Sequence, residues 1–182
     1  MQRILKFIPN IITASRIIMS ALFVSNVLKQ FRYGQEKILS IAIIFFLICL
    51  SDLIDGYIAR KSNCTSRMGA KLDIFADLFF IVSSYVTLVI LRIMPLWFLV
   101  FVCLKFIEFL YTSNFIRKCD EVSAHPFIFD KLGRIVSAMF FIVPGIICYS
   151  RFSCTVNFLL YIILILGVLS SYLRIKECFE WN

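Results

Sequence analysis

Six stretches of this chain, at about 9–28, 38–59, 72–93, 95–116, 132–150 and 154–173, stay apolar for the roughly 20 residues that one bilayer crossing takes. No other feature narrows the choice of fold as far. In hydrocarbon each backbone amide must find its partner within its own segment, so runs of this length become α-helices. The expected architecture is an all-α integral membrane protein with six transmembrane helices, forming a single domain over 1–182. Hydrophobic residues make up 61% of the chain and charged ones only 16%, against about a quarter charged in an ordinary soluble domain. A soluble all-helical protein is the alternative, and the length of the apolar runs disfavours it. Residues 1–8 (MQRILKFI) read as a short interfacial helix. Met94-Pro95 reads as a tight turn, and Pro144-Gly145 as a kink in the fifth span. Arg16 interrupts the first apolar run and no small-residue cleavage site follows, so that run does not resemble a cleavable signal.

The net charge of +8 is distributed as an orientation signal. With the N-terminus in the cytoplasm, Arg3, Lys6, Arg60, Lys61, Arg67, Lys71, Arg117, Lys118, Lys131, Arg134, Arg174 and Lys176 lie inside, and Lys29, Arg32, Lys37, Arg92 and Arg151 lie outside. Twelve against five places both termini in the cytoplasm, with the loop at 60–71. No long basic run with interleaved aromatics offers a surface for nucleic acid. The cysteines at 49, 64, 103, 119, 148, 154 and 178 form no CxxC pair, and their odd number argues against a disulfide framework. They read as free thiols serving as small hydrophobes.

Against this apolar background, residues 51–80 (SDLIDGYIARKSNCTSRMGAKLDIFADLFF) carry four aspartates. Each ionised carboxylate in or near a bilayer costs several kcal/mol unless a cation compensates it. Asp52 and Asp55, spaced i,i+3, share one helical face, and Asp73 and Asp77, spaced i,i+4, share another. The turn between the two helices is short, so they are expected to be antiparallel neighbours. At 1.5 Å per residue, Asp52 lies ~12 Å from the helix end near Arg60 and Asp77 ~12 Å from the helix start near Gly69, which puts both pairs at one depth below the cytoplasmic surface. Four oxygen donors without Cys or His select hard divalent cations, Mg²⁺ or Mn²⁺. Two such ions would balance the four negative charges and leave coordination open for phosphate oxygens. A carboxylate-held ion pair of this kind suits in-line displacement at phosphorus. Gly56, Ala59 and Gly69 remove bulk beside the cluster, so that a nucleotide or diphosphate can approach the backbone. Arg60 at the rim suits bidentate contact with phosphate. The competing reading has the acids salt-bridged to Arg16 or Lys105, or lining an ion pathway.

The stretch Asp52-x-x-Asp55-Gly56-x-x-Ala59-Arg60, followed after eight residues by Gly69-x-x-x-Asp73-x-x-x-Asp77, resembles the signature of the CDP-alcohol phosphotransferases (CDP-alcohol phosphatidyltransferases), with all eight fixed positions in place. The first-helix segment NIITASR, with Asn10, Thr13 and Arg16, is similar to the same family's pattern. The resemblance implies transfer of a phosphatidyl or related group from a CDP-linked lipid such as CDP-diacylglycerol to an alcohol, with release of CMP. It implies that Asp52, Asp55, Asp73 and Asp77 ligate the metals and that Asp77 also deprotonates the acceptor hydroxyl. Asn10, Thr13, Gly56, Ala59, Arg60 and Gly69 would then surround the CDP moiety. The resemblance also implies a homodimer, whereas the cytoplasmic position of the site is expected from the basic-residue count, and a bacterial inner or plasma membrane from the lack of a targeting segment and the compact length.

The acceptor is less constrained. A phosphorylated alcohol needs basic residues, for which Arg134, Lys131 and Arg117 are the candidates, although topology alone also places basic residues on that side. FDKLGR (129–134) loosely resembles the Gly-Lys stretch of glycerophosphate-using members, whereas Ile74 and Leu78 stand where those members carry Pro and Lys. Glycerol 3-phosphate is the favoured acceptor, with inositol, inositol phosphate, serine or another alcohol as alternatives. His125, the single histidine, reads as a passive surface residue rather than an acid–base group. An ion or solute transporter, the rival from a different class, would need a polar pathway through several helices rather than acids confined to the ends of two.

Overall fold

The computed structural model describes the backbone over residues 8–62, 67–119, 131–149 and 153–180, and side chains over 13–54, 72–112, 132–149 and 156–176. Six helices and no strand occur among the described residues: α1 (Ile8–Tyr33), α2 (Ile38–Ser62), α3 (Arg67–Ile90), α4 (Leu96–Cys119), α5 (Lys131–Tyr149) and α6 (Ser153–Glu180). Each overlaps one of the six expected apolar segments. The expected interfacial helix falls outside the described residues, apart from Ile8, which opens α1.

Three described segments are long and apolar enough to cross a membrane, namely Leu72–Ile90, Leu132–Tyr149 and Val156–Lys176, and Ile38–Ile54 is a shorter apolar stretch. The remaining helices are diluted by the groups that matter later: Arg16 and several hydroxyls in α1, and Lys105 and Glu108 in α4. Large apolar side chains such as Leu39, Phe46, Phe158 and Ile165 lie on the outside. A soluble protein seldom exposes apolar patches of this extent, and lipid contact accounts for them. The all-helical, apolar architecture is that of a membrane protein.

The chain divides into two compact units, Met1–Met94 and Pro95–Asn182. In the first, α1 packs closely against both α2 and α3, while no comparably close packing joins α2 directly to α3 among the described residues. The two acidic helices, expected as direct neighbours, meet directly at Phe45 and Phe80 and are also bridged by the first helix. Their cores meet at Phe23, Phe45 and Phe80, whose ring centroids lie 5.4–6.2 Å apart. Edge and tilted arrangements at this spacing add a directional term to apolar burial.

Two helix ends in this unit use left-handed backbone. Gly34 follows α1 with φ 65°, where a glycine carries no steric cost. Arg92, at φ 56°, follows α3 in the same conformation without that freedom. Its amide donates to Val89 O at 2.9 Å and that of Ile93 to Leu88 O at 3.0 Å, a Schellman closure of the last turn. The expected tight turn at Met94-Pro95 is this closure followed directly by α4.

In the second unit α6 packs against both α4 and α5. Phe98, Phe101 and Phe140 form an aromatic core with centroids 5.9–6.2 Å apart. Gly167 of α6 lets Phe101 approach so closely that a Cβ there would lie 2.5 Å from Phe101 Cζ. Pro144 lies within α5.

Candidate functional site

Asp52 sits on α2, and Asp73 and Asp77 sit one turn apart on α3. The structure brings one carboxylate oxygen from each to within 4.8 Å of the others. The expected meeting of the two acidic faces is therefore present for these three. Asp55 lies on α2, one helical turn from Asp52, and its side chain is outside the described residues.

At the centre of the three carboxylates stands the guanidinium of Arg16, from α1. Its Nη1 donates to Asp77 Oδ1 at 2.7 Å and to Asp73 Oδ1 at 2.8 Å, and lies 3.1 Å from Asp52 Oδ1. An arginine terminal nitrogen carries two protons. Those two are directed at Asp73 and Asp77, so the contact with Asp52 is an ion pair rather than a hydrogen bond. Further along the side chain, Nε donates to Ser51 Oγ at 3.4 Å, and Ser51 in turn donates to Ile48 O at 2.8 Å. Ser20 Oγ donates to the backbone carbonyl of Arg16 at 2.7 Å. The guanidinium, carried by α1, is thereby held by side chains of α2 and α3.

Burial separates the two sides of the cluster. The Arg16 side chain is fully buried, whereas those of Asp52, Asp73 and Asp77 are 40%, 40% and 31% exposed. The cation closes the inner face and the carboxylates keep an open outer face. Each uses its Oδ1 atom toward Arg16, which leaves the Oδ2 atoms outside that three-way contact. The three carboxylates carry −3 and Arg16 +1, so the assembly keeps a formal −2. All-oxygen donors, open on one side with net negative charge, suit a hard divalent cation. The donor set thus fits Mg²⁺ or Mn²⁺.

In the sequence Arg16 belongs to the first-helix pattern, and an acid–Arg16 salt bridge is the competing explanation for the aspartates. The structure contains that salt bridge. The available signal was the same cost argument applied to the aspartates, since a guanidinium within an apolar helix also needs a partner. Lys105, the other cation considered, pairs instead with Glu108 at 3.2 Å and Ser171 at 3.0 Å in the second unit.

The other expected contacts are placed in part. Thr13 is buried on α1, one turn before Arg16. Asn10 lies in the first turn of α1, Gly56, Ala59 and Arg60 toward the C-terminal end of α2, and Gly69 in the first turn of α3, all with side chains outside the described residues. Arg134 is exposed in the first turn of α5. Lys131, which opens α5, and Arg117, near the end of α4, lie beyond the described side chains.

The chain is 37% identical over 94 residues to a CDP-diacylglycerol–glycerol-3-phosphate 3-phosphatidyltransferase of Aquifex aeolicus, covering 50% of this chain and 49% of the relative. A Bacillus subtilis protein of the same name is 30% identical over 102 residues, covering 51% and 53%. A CMP-forming cardiolipin synthase of Streptomyces coelicolor is 34% identical over 90 residues, covering 50% and 42%. The chain spans about half the length of the curated relatives it matches. The family model for CDP-alcohol phosphatidyltransferase matches residues 6–173, which takes in α1, the carboxylate cluster, α4, α5 and most of α6. By that match, the chain belongs to the CDP-alcohol phosphatidyltransferase family.

Proposed function

We propose that this chain is an enzyme of phospholipid biosynthesis that transfers the phosphatidyl group of CDP-diacylglycerol to a small alcohol, releasing CMP, with glycerol 3-phosphate as the favoured acceptor. The observation that carries this reading is the convergence of Asp52, Asp73 and Asp77 on one partly open site, in a chain of this family. The names of the Aquifex and Bacillus relatives support the choice of acceptor.

In this reading the acceptor hydroxyl attacks the phosphorus that bears the diacylglycerol, the bridging P–O bond of the diphosphate breaks, and CMP leaves with the electron pair. The hydroxyl proton passes to Asp77. Its Oδ1 is already engaged by Arg16, so Oδ2 is the atom assigned to receive the proton. Asp52, Asp55, Asp73 and Asp77 would hold two Mg²⁺ or Mn²⁺ ions, whose chemistry is to neutralise the diphosphate and the departing CMP. Asn10, Thr13, Gly56, Ala59, Arg60 and Gly69 would line the CDP moiety. Arg134, Lys131 and Arg117 are assigned to the acceptor phosphate, where a guanidinium can make two parallel hydrogen bonds.

The membrane arrangement belongs to the same proposal. Six spans, both termini in the cytoplasm and a cytoplasmic site follow from the apolar runs and the twelve-to-five bias of basic residues, and the bacterial relatives support a bacterial inner membrane. Acyl chains then stay in lipid while the diphosphate reaches the aspartates. A homodimer is proposed by analogy with the family.

The test is a CMP-release assay with the full chain, CDP-diacylglycerol and Mg²⁺ or Mn²⁺, across glycerol 3-phosphate, inositol, inositol phosphate, serine and choline. CMP formation that depends on glycerol 3-phosphate is the expected result, and CMP formation with none of the acceptors would overturn the reading. The Streptomyces relative, a CMP-forming cardiolipin synthase, places a lipid alcohol such as phosphatidylglycerol in the same panel.

A further inference from the structure

We infer that Arg16 is a built-in counter-cation of the carboxylate cluster, which holds Asp52, Asp73 and Asp77 in register from the buried side and thereby weakens the hold of the cluster on a divalent ion. The inference rests on the reading of that cluster as a metal site.

The geometry contains both halves of this role. One nitrogen of a fully buried guanidinium touches three carboxylates from two helices, at 2.7, 2.8 and 3.1 Å. Without it, three like charges within 4.8 Å of one another would repel and splay. With it, α2 and α3 are fastened through α1 at the acidic cluster, in addition to the ring contact of Phe45 with Phe80. The Ser51 hydrogen bond and the carboxylate contacts hold the guanidinium at the back of the site, so it remains a positive neighbour to whatever cation binds on the open face. Like-charge proximity in a partly desolvated site is strongly unfavourable. A second consequence concerns the individual ligands. Asp73 and Asp77 each give one oxygen to a charged hydrogen bond, whereas Asp52 is held by attraction alone. Asp52 is accordingly the carboxylate that a metal can recruit at least cost. Arg16 is thus a positioning residue, acting on substrate through the aspartates. With its charge present, the cluster favours a divalent ion that arrives with a phosphate-bearing ligand over the bare ion.

The test measures Mn²⁺ binding to the detergent-purified full chain by electron paramagnetic resonance, with no nucleotide or lipid substrate, together with thermal denaturation in EDTA and in excess Mn²⁺. For Arg16→Gln we expect Mn²⁺ affinity to rise by about tenfold or more, a change that requires only ~1.4 kcal/mol of relieved repulsion. In EDTA the same variant should melt below wild type, and Mn²⁺ should raise its melting temperature by more than it raises that of wild type. Arg16→Lys keeps the charge but cannot span three carboxylates and Ser51, so its Mn²⁺ affinity should fall between the two. If Arg16→Gln does not fold, Arg16→Lys decides the question against wild type. Equal or weaker Mn²⁺ binding in the folded variant, while wild type binds Mn²⁺, would overturn the role of Arg16 and leave the metal site standing. Absence of Mn²⁺ binding in wild type and variants alike would remove the metal site and this inference together.

Discussion

Residue by residue, the first unit spends its buried polarity on one place. Ser51 and Arg16 form a connected chain of hydrogen bonds and ion pairs that ends at the three aspartates, and Ser20 bonds the backbone carbonyl of Arg16. Each member satisfies another, as a buried network must if it is to stabilise rather than strain the fold. Ser84 is the counter-example. It is buried on α3, and its hydroxyl has no hydrogen-bond partner among the described residues. A buried unsatisfied hydroxyl costs about 1–3 kcal/mol. Ser84→Ala is therefore expected to raise the thermal midpoint of the detergent-solubilised protein and leave CMP release unchanged. A lower midpoint would mean that the hydroxyl has a partner after all.

At the scale of elements, the second unit illustrates how apolar helices without an oily driving force between them are joined by close approach. In a bilayer, association of helices depends on packing and on small residues at the contact. Gly167 fills that role on α6, and the Phe101 ring that fills the space beside it is itself hemmed in by Phe98 and Phe140. Gly167→Ala should overpack this contact and destabilise the protein by about 1–3 kcal/mol. A thermal midpoint equal to that of wild type would show that the ring can swing aside. The helices themselves were legible in the sequence because their signal is length of apolar run, which needs no partner to be recognised. The aspartates were legible because spacing on a helix fixes which side chains share a face, so Asp73 and Asp77 had to lie together. What α1 contributes was not. Which third helix packs against two others is set by tertiary fit, and nothing in the periodicity of residues 8–33 points α1 at both α2 and α3. Arg16 was visible as an anomaly in an apolar run, but only the packing shows that it answers the charge of all three acids.

For the whole molecule, the proposed orientation puts the α2–α3 connection in the cytoplasm. Lys61→Cys in a cysteine-free background should react with a membrane-impermeant maleimide in inside-out vesicles and not in right-side-out ones; the reverse pattern would invert the topology. The account as a whole depends on carboxylates from α2 and α3 acting as one metal-dependent catalytic centre. CMP release from CDP-diacylglycerol with glycerol 3-phosphate in Mg²⁺, measured for wild type and for Asp77→Asn at matched thermal stability, tests that dependence most directly. The account predicts turnover in wild type that vanishes on chelation, and a loss in Asp77→Asn of at least about 10²-fold, the scale on which a positioned proton acceptor contributes. Undiminished CMP release by Asp77→Asn, or by wild type in excess EDTA, would contradict it.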